Sequence, residues 1–182
     1  FRAVKHIIRW GISSHSKARM LFQLIRFFNP ERVLELGTSI GLTTLYLASA
    51  QYPRPVPSVE ANAAYFEFAK RLHAQHISKL NILFFHSTFE TFLNANPDVY
   101  DFIFIDGAHD YHTTVKLFEY FNLHQGPRQV LVFDDIYWSP QMTKAWKHIT
   151  ENATGHLVLD AFSIGIVIKN DNLRTGYRYH IK

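Results

Sequence analysis

The stretch VLELGTSIGLTTLYLA, residues 33–48, decides how the rest of the chain is read. Val33-Leu34-Glu35-Leu36, entered from Arg32, is a short apolar run that predicts a strand. Gly37 to Gly41 predicts a turn, and Leu42 to Ala50 a helix. Glycine without a Cβ lets backbone come close to a ligand. The N-terminus of the next helix offers unpaired N–H groups. Upstream, Leu21, Leu24, Ile25 and Phe28 recur at the spacing of one helix face, which Asn29-Pro30 ends. Downstream the same rhythm repeats. Val56–Glu60 is a second strand, set in the breaker run Pro53, Pro55 and Pro57, and Tyr65, Phe68, Ala69 and Leu72 mark a helix. Asn81–Phe85 is a third strand. Phe102–Ile105 and Val130–Phe133 are apolar without alternation, the pattern of strands buried on both faces in a parallel sheet. Val115, Phe118 and Phe121 mark the helix between them. Ser139-Pro140 reads as an N-cap followed by proline at the first helical position, and Met142, Ala145, Trp146 and Ile149 form the buried stripe behind it. After Gly155 no helix intervenes between Leu157–Leu159, Ile164–Ile168 and Tyr177–Ile181, so a terminal antiparallel hairpin is expected. Alternating strands and helices predict an α/β doubly wound sheet.

Composition narrows the class. The 182 residues predict a single domain over 1–182, with a helical segment at 1–30 ahead of a core at 31–182. At 47% hydrophobic and 19% charged, the chain is a folding one and not a disordered one. With no cysteine there is no disulfide framework, no cysteine-ligated zinc and no thiol nucleophile, which fits a reducing cytoplasm. The net charge of +4 comes without a run of five basic residues, so charge alone does not point to nucleic acid. No apolar stretch approaches the ~18 residues of a membrane span. Phe1 is not a start methionine and residues 1–10 do not resemble a signal peptide, so a longer gene product is expected.

In a doubly wound sheet, ligands sit beyond the C-terminal ends of the strands. The first strand ends in Gly37-Thr38-Ser39-Ile40-Gly41 and the second in Glu60, an acid able to accept hydrogen bonds from both hydroxyls of a ribose. The glycines do not follow the GxGxxG spacing, which argues against a nicotinamide dinucleotide. Taken singly, the glycines also suit a plain tight turn and Glu60 a solvated loop acid; the joint pattern favours a ligand.

Residues 33–48 resemble the first motif of class I S-adenosylmethionine-dependent methyltransferases, with Glu35, Gly37 and Gly41 matching and Ser39 standing where the middle glycine is usual. The resemblance covers residues 30–170. It implies a Rossmann-like seven-stranded sheet of order 3-2-1-4-5-7-6. It also implies a cofactor site of Glu35, Gly37, Thr38, Ser39, Gly41 and Glu60, with Ser87 and Thr88 at the adenine and Asp106 at the cofactor's methionine moiety.

Strand four ends in FIFIDGAHDY and strand five in VLVFDDIYW. In that topology the two are neighbours, so Asp106, Asp134 and Asp135 meet at one rim. Three close carboxylates repel one another unless a cation or protons intervene, and oxygen ligands suit Mg²⁺ or another hard divalent ion. The arrangement resembles metal-dependent O-methyltransferases of the catechol and sugar types. By that resemblance His109, three residues after Asp106, is the base that takes the acceptor proton. Asp110 is a candidate to hold its ring, and Tyr111, Tyr137 and Trp138 are candidate walls of an acceptor pocket. The same carboxylates also suit loop and helix-start roles.

The function these readings predict is S-adenosylmethionine-dependent methyl transfer to a hydroxyl of a small molecule, with divalent-metal assistance as an option. Two alternatives stand beside it. One is a noncatalytic S-adenosylmethionine-binding protein. The other is a methyltransferase acting on a macromolecule, disfavoured by the absence of an N/D-P-P-Y motif after strand four and of cysteine. A homo-oligomer is allowed, and a membrane partner is not expected.

Overall fold

The structure is a computed structural model and describes residues 15–76, 79–124, 126, 128–170 and 177–181. The chain divides into two compact units, Phe1–Asp98 and Val99–Lys182.

The first unit contains α1 (His15–Phe28), β1 (Val33–Leu36), α2 (Leu42–Gln51), β2 (Val56–Glu60), α3 (Ala63–His76), β3 (Ile82–His86) and α4 (Phe89–Ala95). α1 buries Ala18, Leu21 and Ile25. It stops at Asn29, whose left-handed φ of 45° closes the helix with an N–H bond to the Ile25 carbonyl at 2.8 Å. Pro30 then cannot continue it. β1 is buried along its whole length. It pairs in parallel with β2, Glu35 opposite Ser58, and β2 pairs in parallel with β3, Glu60 opposite His86. Gly41, at φ 84°, starts α2, and a Cβ there would stand 3.1 Å from the Cβ of Ala69 on α3. The positive φ therefore favours glycine at this position, and a side chain would also press on α3. Leu34, Leu36 and Leu47 are fully buried, each contributing roughly 1.5–3 kcal/mol of hydrophobic stabilisation.

The second unit contains β4 (Phe102–Ile105), α5 (Tyr111–Leu123), β5 (Arg128–Phe133), α6 (Pro140–Asn152), β6 (His156–Ala161), β7 (Ile164–Asn170) and β8 (Tyr177–Ile181). β4 and β5 pair in parallel, and β7 runs antiparallel to both β5 and β6. All four residues of β4 are buried, as its unbroken apolar run predicts. Ser139 caps α6 by accepting from the Met142 N–H at 3.1 Å, with Pro140 at the first position. The stripe Met142, Ala145, Trp146 and Ile149 is buried as expected. The Trp146 ring occupies the space over Gly165, where a Cβ would fall 2.5 Å from it.

The strand order is β3-β2-β1-β4-β5-β7-β6-β8. This is the doubly wound α/β order expected, with the antiparallel hairpin at its end. Two features depart from the reading. The expected strand at Tyr177–Ile181 joins the sheet as an eighth strand, β8, parallel to β6, where seven were implied. β7 has both edges occupied by β5 and β6, so the returning chain finds its free edge on β6. Residues 89–95 form a short helix that apolar spacing did not announce. Its signal is Thr88, whose hydroxyl accepts from the Thr91 N–H at 3.2 Å as an N-cap.

Candidate functional site

In the first unit the site grows from the turn after β1. Gly37, Ser39 and Gly41 have φ of 111°, 50° and 84°, so the turn reverses within five residues. Ser39 occupies the left-handed region at a cost of roughly 1 kcal/mol for a residue with a Cβ, the physical reason glycine is common in its place. The Gly37 and Thr38 N–H groups both reach the Val59 carbonyl, at 2.9 and 3.2 Å, locking the turn to the end of β2.

Glu60, half-buried at the end of β2, is held by two amides. Its Oε2 accepts from Ser39 N–H at 2.8 Å and its Oε1 from Asn62 N–H at 2.7 Å. A carboxylate oxygen has two lone pairs, so each oxygen retains one acceptor direction, and the pair suits a vicinal diol. Ser87 is drawn to the same strand end, its N–H bonding the Glu60 carbonyl at 3.1 Å. The Ser87 hydroxyl donates to the Thr88 carbonyl at 3.0 Å. His86 donates from Nε2 to the Ala61 carbonyl at 3.1 Å and stacks on Phe66 at 5.1 Å. Ser39, Glu60 and Ser87 are thus brought together, whereas the Thr88 side chain is engaged as a helix cap.

Glu35 and Thr38 turn inward. Glu35 is fully buried, and its Oε2 accepts from Thr44 Oγ1 at 2.5 Å and from Ser58 Oγ at 2.6 Å. Thr38 Oγ1 lies 2.5 Å from Ser58 Oγ. Because a hydroxyl has one proton and Ser58 gives its own to Glu35, Thr38 is the donor in that contact. Glu35 Oε1 has no hydrogen-bond partner. Burial pushes the Glu35 carboxyl up to about 8, against the opposing bonds from Ser58 and Thr44 and with a small addition from Glu60. The side chain is therefore neutral at pH 7. Both residues support the turn from inside, a role that motif matching alone does not reveal; Ser58 and Thr44 are the partners it missed.

In the second unit, Asp106 directly follows β4, and two residues further on Ala108 has a φ of 50°. His109 Nε2 stands 3.8 Å from Asp106 Oδ1, and the two side chains are 34% and 14% exposed. That distance is long for a hydrogen bond and suits an ion pair once the imidazole takes a proton. Asp110 does not hold the His109 ring. Its Oδ1 accepts from Thr113 N–H at 2.9 Å as the N-cap of α5. Burial works against its charge, but the bonds from Thr113 and His112 outweigh it and hold the carboxyl below its ordinary range.

The expected metal triad is not assembled. Among the described residues no group of three or more His, Asp or Glu side chains is placed to hold a metal ion. Asp134 is buried and its Oδ1 accepts from the N–H of Asp135 at 2.8 Å, while Asp135 has a left-handed φ of 52°. The Asp134 carboxylate serves the turn after β5, and the residues as placed do not fit a divalent ion. Of the expected aromatic wall, Tyr137 and Trp138 border one cavity. Tyr111 instead contacts α6, its hydroxyl 3.4 Å from His148 Nδ1 and its ring 4.9 Å from Lys144 Nζ. The Tyr137 hydroxyl donates to Asp160 Oδ2, which also accepts from Trp146 Nε1 at 3.2 Å. Burial first, then the Asp160 carboxylate, pushes the Tyr137 hydroxyl up to about 12.

Residues 34–136 match the family model described as a methyltransferase domain. No curated protein matches the chain. Solved structures do. An O-methyltransferase from Bacillus cereus in complex with SAH is 18% identical with a TM-score of 0.71, covering 87% of this chain and 83% of its own. SAH-bound methyltransferase PaMTH1 from Podospora anserina is 14% identical with a TM-score of 0.75, covering 88% and 80%. The O-methyltransferase TomG from Streptomyces achromogenes, in complex with SAM, is 16% identical with a TM-score of 0.70, covering 87% and 82%. At these identities the likeness is one of fold.

Proposed function

The chain belongs to the methyltransferase-domain family, and on that premise we propose that it transfers the methyl group of S-adenosylmethionine to a hydroxyl oxygen of a small molecule. The family match runs across the boundary between the two units at Asp98 and Val99, which supports reading 1–182 as one methyltransferase domain. The observation that carries the reading is the Glu60 carboxylate, oriented by the Ser39 and Asn62 amides with one acceptor direction left on each oxygen. S-adenosylmethionine supplies a methyl carbon activated by a sulfonium and open to in-line attack. Glu60 accepts the two ribose hydroxyls, and Ser87 borders the adenine. The left-handed turn from Gly37 to Gly41 lets its backbone approach, while Glu35 and Thr38 hold that turn from inside.

Asp106 and His109 carry the proton. A hydroxyl becomes a competent nucleophile as its proton leaves, and an imidazole does this at neutral pH. His109 Nε2 accepts that proton, with Asp106 Oδ1 standing 3.8 Å from it. When bound, the sulfonium would supply the methyl to the deprotonated oxygen, its C–S bond breaking as the C–O bond forms to release a neutral thioether. The reading assigns no step to a divalent ion, because Asp106, Asp134 and Asp135 are not gathered into one donor set. No helix among the described residues is long and apolar enough to cross a membrane. We place the reaction in the cytoplasm on the lack of cysteine in the sequence.

The test is transfer from donor labelled in the methyl group to a panel of hydroxylated small molecules. Label on an acceptor oxygen, lost on His109→Ala, is the expected result. Label found only on added protein or nucleic acid would replace the small-molecule reading with a macromolecular one. Donor binding with no transfer to any of these would favour a noncatalytic binding protein.

A further inference from the structure

On the second unit, two cavities of about 550 and about 280 Å³, neither lined by Asp106 or His109, share Tyr137, Thr143 and Lys147 in their linings. Trp138 and Lys144 border the first, and Arg178 and Tyr179 the second. Tyr137, Trp138 and Tyr179 are 46%, 56% and 55% exposed, unusual for side chains of this size. Large exposed aromatics grouped with polar neighbours mark binding surfaces more often than packing.

The wall is built rather than incidental. The Tyr137 hydroxyl and the Trp146 indole N–H both end on Asp160 Oδ2, and Asp160 is only 9% exposed. Trp146 in turn fits because position 165 has no Cβ. Tyr137 is therefore fixed before any ligand arrives, which lowers the ordering cost of binding. Charge selects the ligand. Lys144, Lys147 and Arg178 contribute three cations to the linings, against the single carboxylate of Asp160, whose Oδ2 already accepts two bonds. A cationic guest in an aromatic cage is thus disfavoured and an anion favoured. Lys147 is 75% exposed and its pairing with Glu151 at 3.9 Å is a surface contact of little strength, so it is available for recruitment. Arg178 donates through Nη2 to the Thr150 carbonyl in the last turn of α6. This anchors the guanidinium while leaving further donors of its fork. The volumes suit a small molecule.

We propose that this groove binds a small planar anion, an aromatic ring bearing a carboxylate or phosphate. The ring lies against Tyr137 and Tyr179, and the acid group lies between Lys147 and Arg178. The proposal does not depend on methyl transfer. Calorimetric titration of the full chain with 4-hydroxybenzoate and with phenyl phosphate tests it and tells the two acid groups apart. Benzyl alcohol, a ring without charge, and cyclohexanecarboxylate, a charge without an aromatic ring, are the comparators. At least one aromatic anion is expected to bind roughly tenfold tighter than both comparators. Lys147→Ala, a surface change that leaves the fold intact, should weaken it roughly tenfold, the scale of one charge-assisted hydrogen bond. Tyr179→Ala should weaken both aromatic anions more than it weakens cyclohexanecarboxylate. S-adenosylmethionine affinity should stay at the parental value in both variants. Aromatic anions binding no tighter than the comparators would overturn the proposal, as would parental affinity in both variants.

Discussion

Replacing Glu35 by glutamine should change how the stability of this protein depends on pH. In the folded chain the Glu35 carboxyl is pushed up to about 8 from an ordinary value of 4.5, chiefly by complete burial. Between those two values the unfolded chain has released this proton and the folded chain has kept it. The unfolded state therefore binds fewer protons, and stability falls as pH rises. The contribution is fully present below the unfolded value and gone above about 8. At ~1.4 kcal/mol per pKa unit, a shift of this size amounts to a loss on the order of 5 kcal/mol across the window, an upper bound because the site relaxes and admits water once ionised. Glutamine keeps the shape and one carbonyl oxygen to accept from Ser58 or Thr44, but it has no proton to lose. The assay is urea denaturation of parent and Glu35→Gln at several pH values from about 5 to about 8. Histidines and other acids contribute equally to both chains, so the difference between the two curves isolates Glu35. That difference should grow in favour of the variant as pH rises. Parallel curves would refute the buried neutral carboxyl.

Other outcomes follow from the same geometry. Gly165→Ala should destabilise the chain by roughly 1–3 kcal/mol, because a Cβ 2.5 Å from the Trp146 ring must displace it; thermal or urea unfolding measures this, and unchanged stability would mean that the ring moves freely. Once an acceptor is known, His109→Ala should lower turnover by about 10²-fold with donor affinity unchanged, whereas near-parental turnover would make His109 structural. Asp110→Ala should cost about 1 kcal/mol of stability as a lost helix cap and leave the neutral-range limb of the pH–rate profile in place, since Asp110 bonds Thr113 and not the His109 ring.

Much of the fold was legible because its central strands β1, β4 and β5 are buried almost throughout. Phe102–Ile105 has the same bounds in sequence and structure, and Ser139-Pro140 caps its helix as read. What escaped depends on contacts between distant residues or on very short elements. Thr88 looks the same whether it faces a ligand or caps a helix, and the seven residues after it are too few to show a period. β8 was placed by which edge of the sheet was free, not by its own composition. The turn after β1 meets the end of β2 through the Ser39 N–H bond to Glu60 and the Gly37 N–H bond to Val59. Glu35 belongs to the motif that carries this turn, but its partners Thr44 and Ser58 lie 9 and 23 residues away on other elements, so its burial was not readable from local spacing. The bond between Tyr137 and Asp160, also 23 residues apart, gave no signal, since the sequence marks Tyr137 only as a candidate pocket wall. For the three carboxylates expected to share a cation, strand-end placement suggested proximity, but the Asp135 N–H binds the Asp134 carboxylate locally and no group of three is placed to hold a metal among the described residues.

The claim on which the function rests is that Glu60 receives the ribose of S-adenosylmethionine. Two hydroxyl bonds to a carboxylate are together worth about 2–4 kcal/mol, which corresponds to roughly 30-fold to 1000-fold in affinity. Calorimetric titration of S-adenosylmethionine into the parent chain and into Glu60→Ala, with circular dichroism showing both folded, measures it directly. Binding by the parent and a loss of at least roughly 30-fold in the variant is the predicted result. No binding by the parent, or equal affinity in the two chains, would contradict it.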